Sequence, residues 1–484
     1  MTHADVGAGD DGVGDAERLV TWRQLLAETS ALVADPTHAR WICETATSTT
    51  PAEFGSMLDH PATERAVAHL DAMVGRARAG EPIQYVLGSW GFRRLDLAVD
   101  RRVLIPRPET ELVAERAIEL AAAAGPIRTV ADLGTGSGAI GLSMAVELPR
   151  SGTTVWITDV SVDALTVARD NLAGLGRAAT NVRTAEGSWT EALPTEVGFD
   201  VIVSNPPYVA DASTEIEQIV EDWEPADALF SGPDGLDDVR SIVGEAPARL
   251  RPGGWLVVEH GHDQGSAVRE LMELAGLVEV GTETDLAGLD RMSAGRRSSH
   301  LFDVTSTAGT VRVRHLENSE SDYAHLLRWL TTPQVLERLE NRDTTFDLAG
   351  ILAAYGPGGE HERTGTIASI IELAGEPVGS VRWCQLDDPD DAADVGLVTG
   401  TDVWLLEVFL GRPDLFGSGI GRAVCRASAE FLLAARGAVE VVSLASVQNQ
   451  RAIAVYRAAG FTGDHVVRDR RGAPHDRVRL HFQP

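Results

Sequence analysis

An apolar run, an acidic residue, three closely spaced glycines and a helical pattern follow one another in TVADLGTGSGAIGLSMAVEL, residues 129–148. An apolar run closed by glycine reads as a buried strand, and the pattern after it as a helix packed back on that strand. From about 85 to 305 strands alternate with helices in this way, which predicts a parallel, doubly wound sheet. In such a sheet the ligand lies at the carboxyl ends of the strands. Gly134, Gly136 and Gly138 let backbone approach it closely, with Thr135 in the same turn and a helix N-terminus just behind. Asp132 ends the strand, where its carboxylate can reach a cofactor amine or an ordered water. The Gly-x-Gly-x-Gly spacing differs from the Gly-x-Gly-x-x-Gly of dinucleotide enzymes and argues against NAD.

A second strand, TTVWITDV, ends in Asp159, placed to bind two ribose hydroxyls. A third, VIVSNPPY, ends in Asn205-Pro206-Pro207-Tyr208. Two consecutive prolines remove two backbone donors and fix two φ angles, leaving rigid carbonyl acceptors beside an amide and an aromatic ring. Such a group can hold a planar NH2 by accepting its hydrogens and stacking on its face. An amide or aryl NH2 is a poor nucleophile because its lone pair is delocalised. Accepting its hydrogens as a methyl donor approaches favours the pyramidal nitrogen of the transition state. The glycine turn, Asp159 and this tetrapeptide, in that order, point to S-adenosylmethionine as cofactor and methyl transfer to nitrogen as chemistry.

The upstream and downstream segments narrow the class. GEPIQYVLGSWGF, VDRRVLIPRPETELV, DLGTGSG, NPPYV, WEPADALFSGPDGLDDVRSI and GGWLVVEHGHDQG occur in that order between about Leu19 and Phe302. In this the chain resembles the HemK/PrmC-type release-factor glutamine methyltransferases, with Ile105 to Glu111 the most discriminating stretch. The resemblance implies that Asn205 and the Pro206 carbonyl hold the side-chain amide of the glutamine in a Gly-Gly-Gln loop, with Pro207 beside them and Tyr208 packed against it. Where the family usually carries an acidic residue in the next cofactor segment, this chain reads AEGSW, so Ser188 before Trp189 would meet the adenine amino group more weakly. The same chemistry on a ribosomal-protein glutamine, or on adenine N6 of a nucleic acid, is compatible with the tetrapeptide alone.

Charge bears on that choice. The 484 residues carry 72 acidic and 42 basic side chains, a net charge of −30, and every basic one is arginine. So negative a chain is repelled by bare DNA or RNA, whose binding rests on phosphate contacts. A chain without lysine forms no Schiff base and uses no lysine base or P-loop. Cys43, Cys384 and Cys425 are far apart and form no CxxC pair, which argues against a disulfide framework or a zinc site and fits a reducing cytoplasm. No apolar run approaches a membrane span, and no metal-ligand cluster is apparent. Residues 1–18 are polar and Gly/Asp-rich and are expected to be a disordered tail. Residues 19–84 show helical spacing, with breaks at Asp35-Pro36 and His60-Pro61, and resemble the small helical domain by which such methyltransferases grip a protein substrate.

TSTAGT at 305–310 is expected to be a small-residue linker that leaves two sites independent. Beyond it, Gly417, Gly419 and Gly421 open a helix in FGSGIGRAVCRASAEFLLAARG, so exposed backbone N–H groups and the helix dipole face one point, a pyrophosphate cradle. Residues 311–484 resemble the GNAT acetyltransferases, in their aminoglycoside 6'-N-acetyltransferase-like branch. The matching pieces are Trp329-x-x-x-Pro333-x-Val335, Gly417 to Gly421 and Asn449-x-x-Ala452-x-x-x-Tyr456-x-x-x-Gly460-Phe461. The resemblance implies acetyl-CoA on Gly417, Gly419, Gly421, Arg422 and Asn449, with Tyr456 protonating the departing thiolate. It also implies Glu407 taking a proton from a small amine acceptor. Phe416 stands where the family usually has Arg or Gln. A degenerate, non-catalytic acetyl-CoA binder is the other reading of this half. The acidic run 387–394 would attract a polycationic amine, although such runs are usually solvated loops. The fold expected is therefore α/β: a small helical N-terminal domain, a Rossmann-like class I methyltransferase sheet over 85–305, and a separate GNAT α+β domain.

Overall fold

The computed structural model describes residues 20–213, 218–339, 345–386, 402–467 and 477–482. The proposed tail at 1–18 and the acidic run at 387–394 lie outside these residues. The chain divides into two compact units, Met1–Pro106 with Ala212–Leu229, and Arg107–Asp211 with Phe230–Pro484.

The first unit is built on helices Trp22–Leu32, Pro36–Thr47, Pro51–Met57, Glu64–Arg78 and Ile83–Leu87, followed by a short hairpin of Ser89–Phe92 with Leu95–Ala98. Thr21, Asp35, Thr50 and Thr63 cap the first four helices by accepting from backbone N–H groups, and Pro36 and Pro51 occupy first-turn positions where a missing donor costs nothing. Asp35-Pro36 is thus a helix start rather than only a break. Trp22, Ile42, Phe54, Leu70 and Met73 form its core. The Glu224 carboxylate, buried in the same unit, accepts from the Ile105 N–H at 3.0 Å.

In the second unit, the first sheet has seven described strands in the spatial order Val182–Glu186, Thr153–Asp159, Arg128–Leu133, Phe199–Ser204, Leu250–Glu259, Asp290–Arg297 and Leu277–Thr284. The first five are parallel, Asp290–Arg297 runs against them, and the edge strand Leu277–Thr284 pairs antiparallel with Asp290–Arg297. The central strands Arg128–Leu133 and Phe199–Ser204 are buried along their whole length, as a sheet covered on both faces requires. The chain winds outward from Arg128–Leu133 in one direction and resumes on its other side with Phe199–Ser204. The crevice at that switch point is where a ligand binds in this class of sheet.

The second sheet has eight described strands in the order His300–Ser306, Gly309–His315, Ile367–Leu373, Glu376–Gln385, Val403–Leu410, Glu440–Ser446, Arg477–Phe482 and Thr462–Val467. All neighbours are antiparallel except Val403–Leu410 and Glu440–Ser446, which pair in parallel only from Val403 to Leu405. Residues 305–310 are not a free linker. They close a hairpin, with Thr307 and Ala308 at its turn, and the strand His300–Ser306 already belongs to this second sheet. The cause is apolar: Phe302 lies 5.3 Å from Phe431 and 6.4 Å from Trp383, ring to ring, so the segment is anchored in the second core.

A polar junction joins the two sheets. Asn318 donates through Nδ2 to the Ile127 carbonyl and to Asp200 Oδ1, both at 2.7 Å, and its Oδ1 accepts from the Tyr323 hydroxyl at 2.7 Å. Its carbonyl accepts from the Gly125 N–H, and Arg251 pairs with Glu362 at 2.9 Å. Among the described residues no helix is long and apolar enough to cross a membrane.

Candidate active site

Strand register gathers the candidate residues of the first sheet at one edge. Leu133 pairs with Thr158 on one side and with Ser204 on the other, and Ser204 pairs with Val258. The next residue on each strand is therefore Gly134, Asp159, Asn205 or Glu259, all leaving the sheet at one level. The first three are those singled out in the sequence. Glu259 was quoted only within a motif and given no role. Its signal was a carboxylate at the end of an otherwise apolar parallel strand.

The glycine turn is built for close approach. Gly134, Gly136 and Gly138 have φ of 69°, 56° and 89°, a region that L side chains rarely enter. A Cβ added at Gly138 would meet Leu142 at 2.7 Å and one at Gly134 would meet the Trp189 ring at 3.1 Å, whereas at Gly136 nothing lies within 4 Å. Gly136 thus presents backbone to open space. Asp132, only 1% exposed, accepts through Oδ2 from Thr135 Oγ1 at 2.6 Å and from the Gly141 N–H at 2.9 Å, while its Oδ1 is buried without a partner. Burial pushes its carboxyl up to about 6, against the pull of those two donors, with nearby Asp159 adding to the rise. Asp159 accepts from Gly136 N and Ser161 N, both at 2.9 Å, and burial raises it too. Ser188 is exposed and makes no cap bond, while Trp189 has φ of 40°.

These features fit an S-adenosylmethionine-sized group. An orphaned carboxylate oxygen at Asp132, an open glycine face at Gly136 and an acidic residue at Asp159 would hold its amine, its chain and its ribose respectively. Trp189, whose ring lies against the Gly134 turn, and the exposed Ser188 would be the side chains to meet its adenine.

Beside this turn, Asn205 donates through Nδ2 to Thr110 Oγ1 at 3.2 Å, and Pro206 is buried. Thr110 opens the helix Thr110–Ala123 and lies in the Ile105–Glu111 stretch, which sequence reading marked as diagnostic without assigning it a task. The Tyr208 hydroxyl lies 3.4 Å from Glu259 Oε1, and the Tyr208 carbonyl accepts from Gln264 Nε2 at 3.0 Å. Burial and the neighbouring Glu259 carboxylate both push the Tyr208 phenol upward, so it keeps its proton.

In the second sheet Gly417 and Gly419 have φ of 86° and 79°, and Gly419 precedes the helix Ile420–Ala435. A Cβ at Gly417 would meet nothing within 4 Å, while one at Gly419 would strike Thr307 Oγ1 at 2.5 Å. Thr307 donates to the Ser418 carbonyl, so the hairpin turn buttresses the cradle. Gly421 and Arg422 form the first helical turn, with Arg422 exposed. This open glycine turn at a helix N-terminus fits the diphosphate of acetyl-CoA. Phe416 offers no donor, but the Arg338 guanidinium stacks 3.6 Å over its ring and supplies a cation there that sequence reading missed.

Asn449 is occupied differently from expectation. Its Oδ1 caps the helix Gln450–Ala459 by accepting from Ala452 N at 3.0 Å, and its Nδ2 donates to the Arg338 carbonyl at 3.0 Å. Tyr456 is buried next to Ser443 and the Val408 N–H, and burial raises its phenol well above the usual range. Glu407 is held at 2.5 Å by Arg382. Burial depresses the His361 imidazole to about 4, with nearby Arg382 pushing the same way.

The two sites together define a methyltransferase fold joined to an acetyltransferase fold. Residues 17–88 match the PrmC N-terminal domain, 117–224 the methyltransferase small domain, and 318–468 the acetyltransferase (GNAT) domain. The chain is 47% identical over 238 residues to a release factor glutamine methyltransferase of Xylella fastidiosa strain Temecula1, covering 49% of this chain and 84% of the relative. To the enzyme of that name from Bordetella pertussis strain Tohama I it is 46% identical over 236 residues, with the same coverage of 49% and 84%. Among solved structures it is similar to the aminoglycoside acetyltransferase AAC(6')-Ib in complex with coenzyme A. That match has 25% identity and a TM-score of 0.31, over 36% of this chain and 94% of the other. The chain belongs to the release factor glutamine methyltransferase family, and it carries a GNAT domain in addition.

Proposed function

We propose that the methyltransferase half methylates the side-chain amide nitrogen of the glutamine in the Gly-Gly-Gln motif of translation release factors. S-adenosylmethionine supplies the electrophilic methyl when bound. The observation that carries this reading is the convergence of Asn205 and the glycine turn on adjacent strand ends, with the Asn205 Nδ2 committed to Thr110. That leaves Asn205 Oδ1 and the Pro206 carbonyl as acceptors for the two hydrogens of the substrate amide. Two acceptors on one NH2 concentrate electron density on nitrogen and hold its lone pair toward the glycine turn. Tyr208, kept neutral, packs against the amide and helps exclude water. The similarity to release factor glutamine methyltransferases supports a release factor as the protein acceptor, and the net charge of −30 disfavours a nucleic acid. The helical unit would grip that protein, and such a substrate implies the cytoplasm.

The GNAT half is proposed to acetylate a small amine with acetyl-CoA. Gly417, Gly419, Gly421 and Arg422 would hold its diphosphate, and Asn449 would act through the helix it caps. Tyr456, which retains its proton, would donate it to the leaving thiolate, and Glu407, paired with Arg382, would accept the proton of the amine. The test of the methyltransferase reading is the Asn205→Ala variant with release factor. Loss of at least 100-fold in kcat with unchanged melting temperature supports it, on the scale of about 10²–10³ for a removed transition-state partner. Turnover near the wild-type rate would sink the role given to Asn205.

A further inference from the structure

Phe416, Asn449 and the motif Trp329-x-x-x-Pro333-x-Val335 meet at one side chain, Arg338. The motif builds the support beneath it. Trp329 and Val335 are each 1% exposed. The Trp329 ring lies edge-on to Phe409, 6.2 Å centre to centre, and a Cβ added at Gly411 would strike it at 2.1 Å. The helix Glu320–Leu330 is thereby locked against the strand Val403–Leu410, which leads into the glycine turn. Pro333 then opens the helix Pro333–Leu339, where its missing N–H costs nothing, and Arg338 stands at the end of that helix.

Two contacts fix Arg338 beside the turn. Its guanidinium lies 3.6 Å over the ring centre of Phe416, the residue before Gly417, and its carbonyl accepts from Asn449 Nδ2 at 3.0 Å. The Oδ1 of the same Asn449 caps the helix Gln450–Ala459, so this one amide ties the two helices together. A guanidinium stacked by its face keeps its N–H donors in the ring-parallel plane, where they point outward past the ring edge. Partial burial, then nearby Arg451, lowers the Arg338 guanidinium from its ordinary value, with Glu337 opposing. Glu337 attracts it through space without a hydrogen bond, and a cation so placed is relieved by an anion brought to it. Beside it a Cβ at Gly417 would meet nothing within 4 Å, which leaves backbone open to the same anion.

We infer that Arg338 is a phosphate-binding cation of the acetyltransferase cradle: delivered by a separate helix, seated on Phe416 and tethered by Asn449, it grips the diphosphate of acetyl-CoA laid on Gly417 to Gly421. This rests on the acetyl-CoA reading of that turn given above. Phe416 is then a seat rather than a missing donor, and Asn449 a tether rather than a ligand. Arg422, in the first turn of the helix Ile420–Ala435, supplies a second cation. The role is one of binding and orientation, and no bond is made or broken through it.

The experiment uses the full chain and two binding probes, coenzyme A by calorimetry and pantetheine, which has no diphosphate, by NMR. Arg338→Ala is expected to weaken coenzyme A by about 10- to 100-fold, the scale of hydrogen bonds to a charged group, and to leave pantetheine binding and the melting temperature unchanged. Arg338→Lys keeps the charge without the planar fork and should recover only part of the loss. Phe416→Leu exchanges one side chain without donors for another, so weaker coenzyme A binding there reports the seat itself. It should add little to Arg338→Ala in the double variant, because a seat has no effect without its occupant. Dephospho-coenzyme A lacks the 3'-phosphate and keeps the diphosphate, so the Arg338→Ala loss should persist with it. Wild-type affinity in Arg338→Ala, a loss that disappears with dephospho-coenzyme A, or fully additive losses from the two substitutions overturns the inference and leaves the acetyl-CoA reading standing. If the losses appear as expected but no amine is acetylated, the acetyltransferase activity fails and the role of Arg338 stands. A wild type that binds no coenzyme A removes both.

Discussion

Removing the Asn318 side chain tests whether the methyltransferase and GNAT sheets are one cooperative unit. Asn318→Ala deletes three hydrogen bonds of 2.7 Å, to the Ile127 carbonyl, the Asp200 carboxylate and the Tyr323 hydroxyl. Asp200 is 5% exposed and Tyr323 1%, so water does not simply replace the lost partner. Two neutral bonds are worth about 1 kcal/mol each and one to a carboxylate about 2, giving a loss of about 4 kcal/mol. Asp200 keeps the Thr129 N–H at 2.8 Å and Arg251 at 3.9 Å, which bounds the damage. At roughly 2 °C per kcal/mol, the scaling for larger domains, the melting temperature should fall by roughly 8 °C. The assay is thermal unfolding followed by tryptophan fluorescence, with residual methyl transfer measured after heating. The account requires both signals to move together. A shift below about 2 °C, or unfolding of the GNAT half at unchanged methyltransferase stability, would refute a shared polar junction.

Two further outcomes are expected. Gly136→Ala should fold with a loss of about 1 kcal/mol, because its φ of 56° is unfavourable for an L residue but its Cβ meets nothing. Calorimetry should nonetheless show S-adenosylmethionine binding weakened by an order of magnitude or more; unchanged affinity would remove Gly136 from the cofactor site. For Asp132 the folded carboxyl is raised from 3.8 to about 6, so the folded state binds its proton more tightly than the unfolded chain. The stabilisation is complete below pH 3.8 and is lost as pH rises through 6, by about 3 kcal/mol in total. Asp132→Asn should therefore gain on the wild type between pH 4 and 6 and hold that difference above, as read by urea unfolding at each pH. A difference independent of pH would contradict the burial assigned to Asp132.

Local chemistry was the legible part of this chain. Gly134, Asp159 and Asn205 could be placed on strand ends because each closes an apolar run, and the sheet brings them to one level. What the sequence concealed depends on register or on contacts far apart along the chain. Glu259 joins that level only when Ser204 is seen to pair with Val258, and Thr110 reaches the site only when its hydroxyl meets Asn205 across 95 positions. Asp35-Pro36 reads in sequence only as a break in the helical spacing of 19–84, whereas in the fold Asp35 caps and Pro36 starts the helix Pro36–Thr47. The small residues of 305–310 read as a linker, yet Phe302, packed among Trp383 and Phe431, makes them a hairpin turn. Asn449 matched a motif whose local duty, capping its own helix, is indistinguishable in sequence from contact with a cofactor.

The central claim is methyl transfer to the Gly-Gly-Gln glutamine, and mass spectrometry tests it most directly. Purified chain is incubated with unmethylated release factor and isotopically labelled S-adenosylmethionine, and the Gly-Gly-Gln peptide is sequenced. The account predicts a single labelled methyl on that glutamine, absent with Asn205→Ala. An unmodified peptide, with S-adenosylmethionine shown to bind, would contradict it.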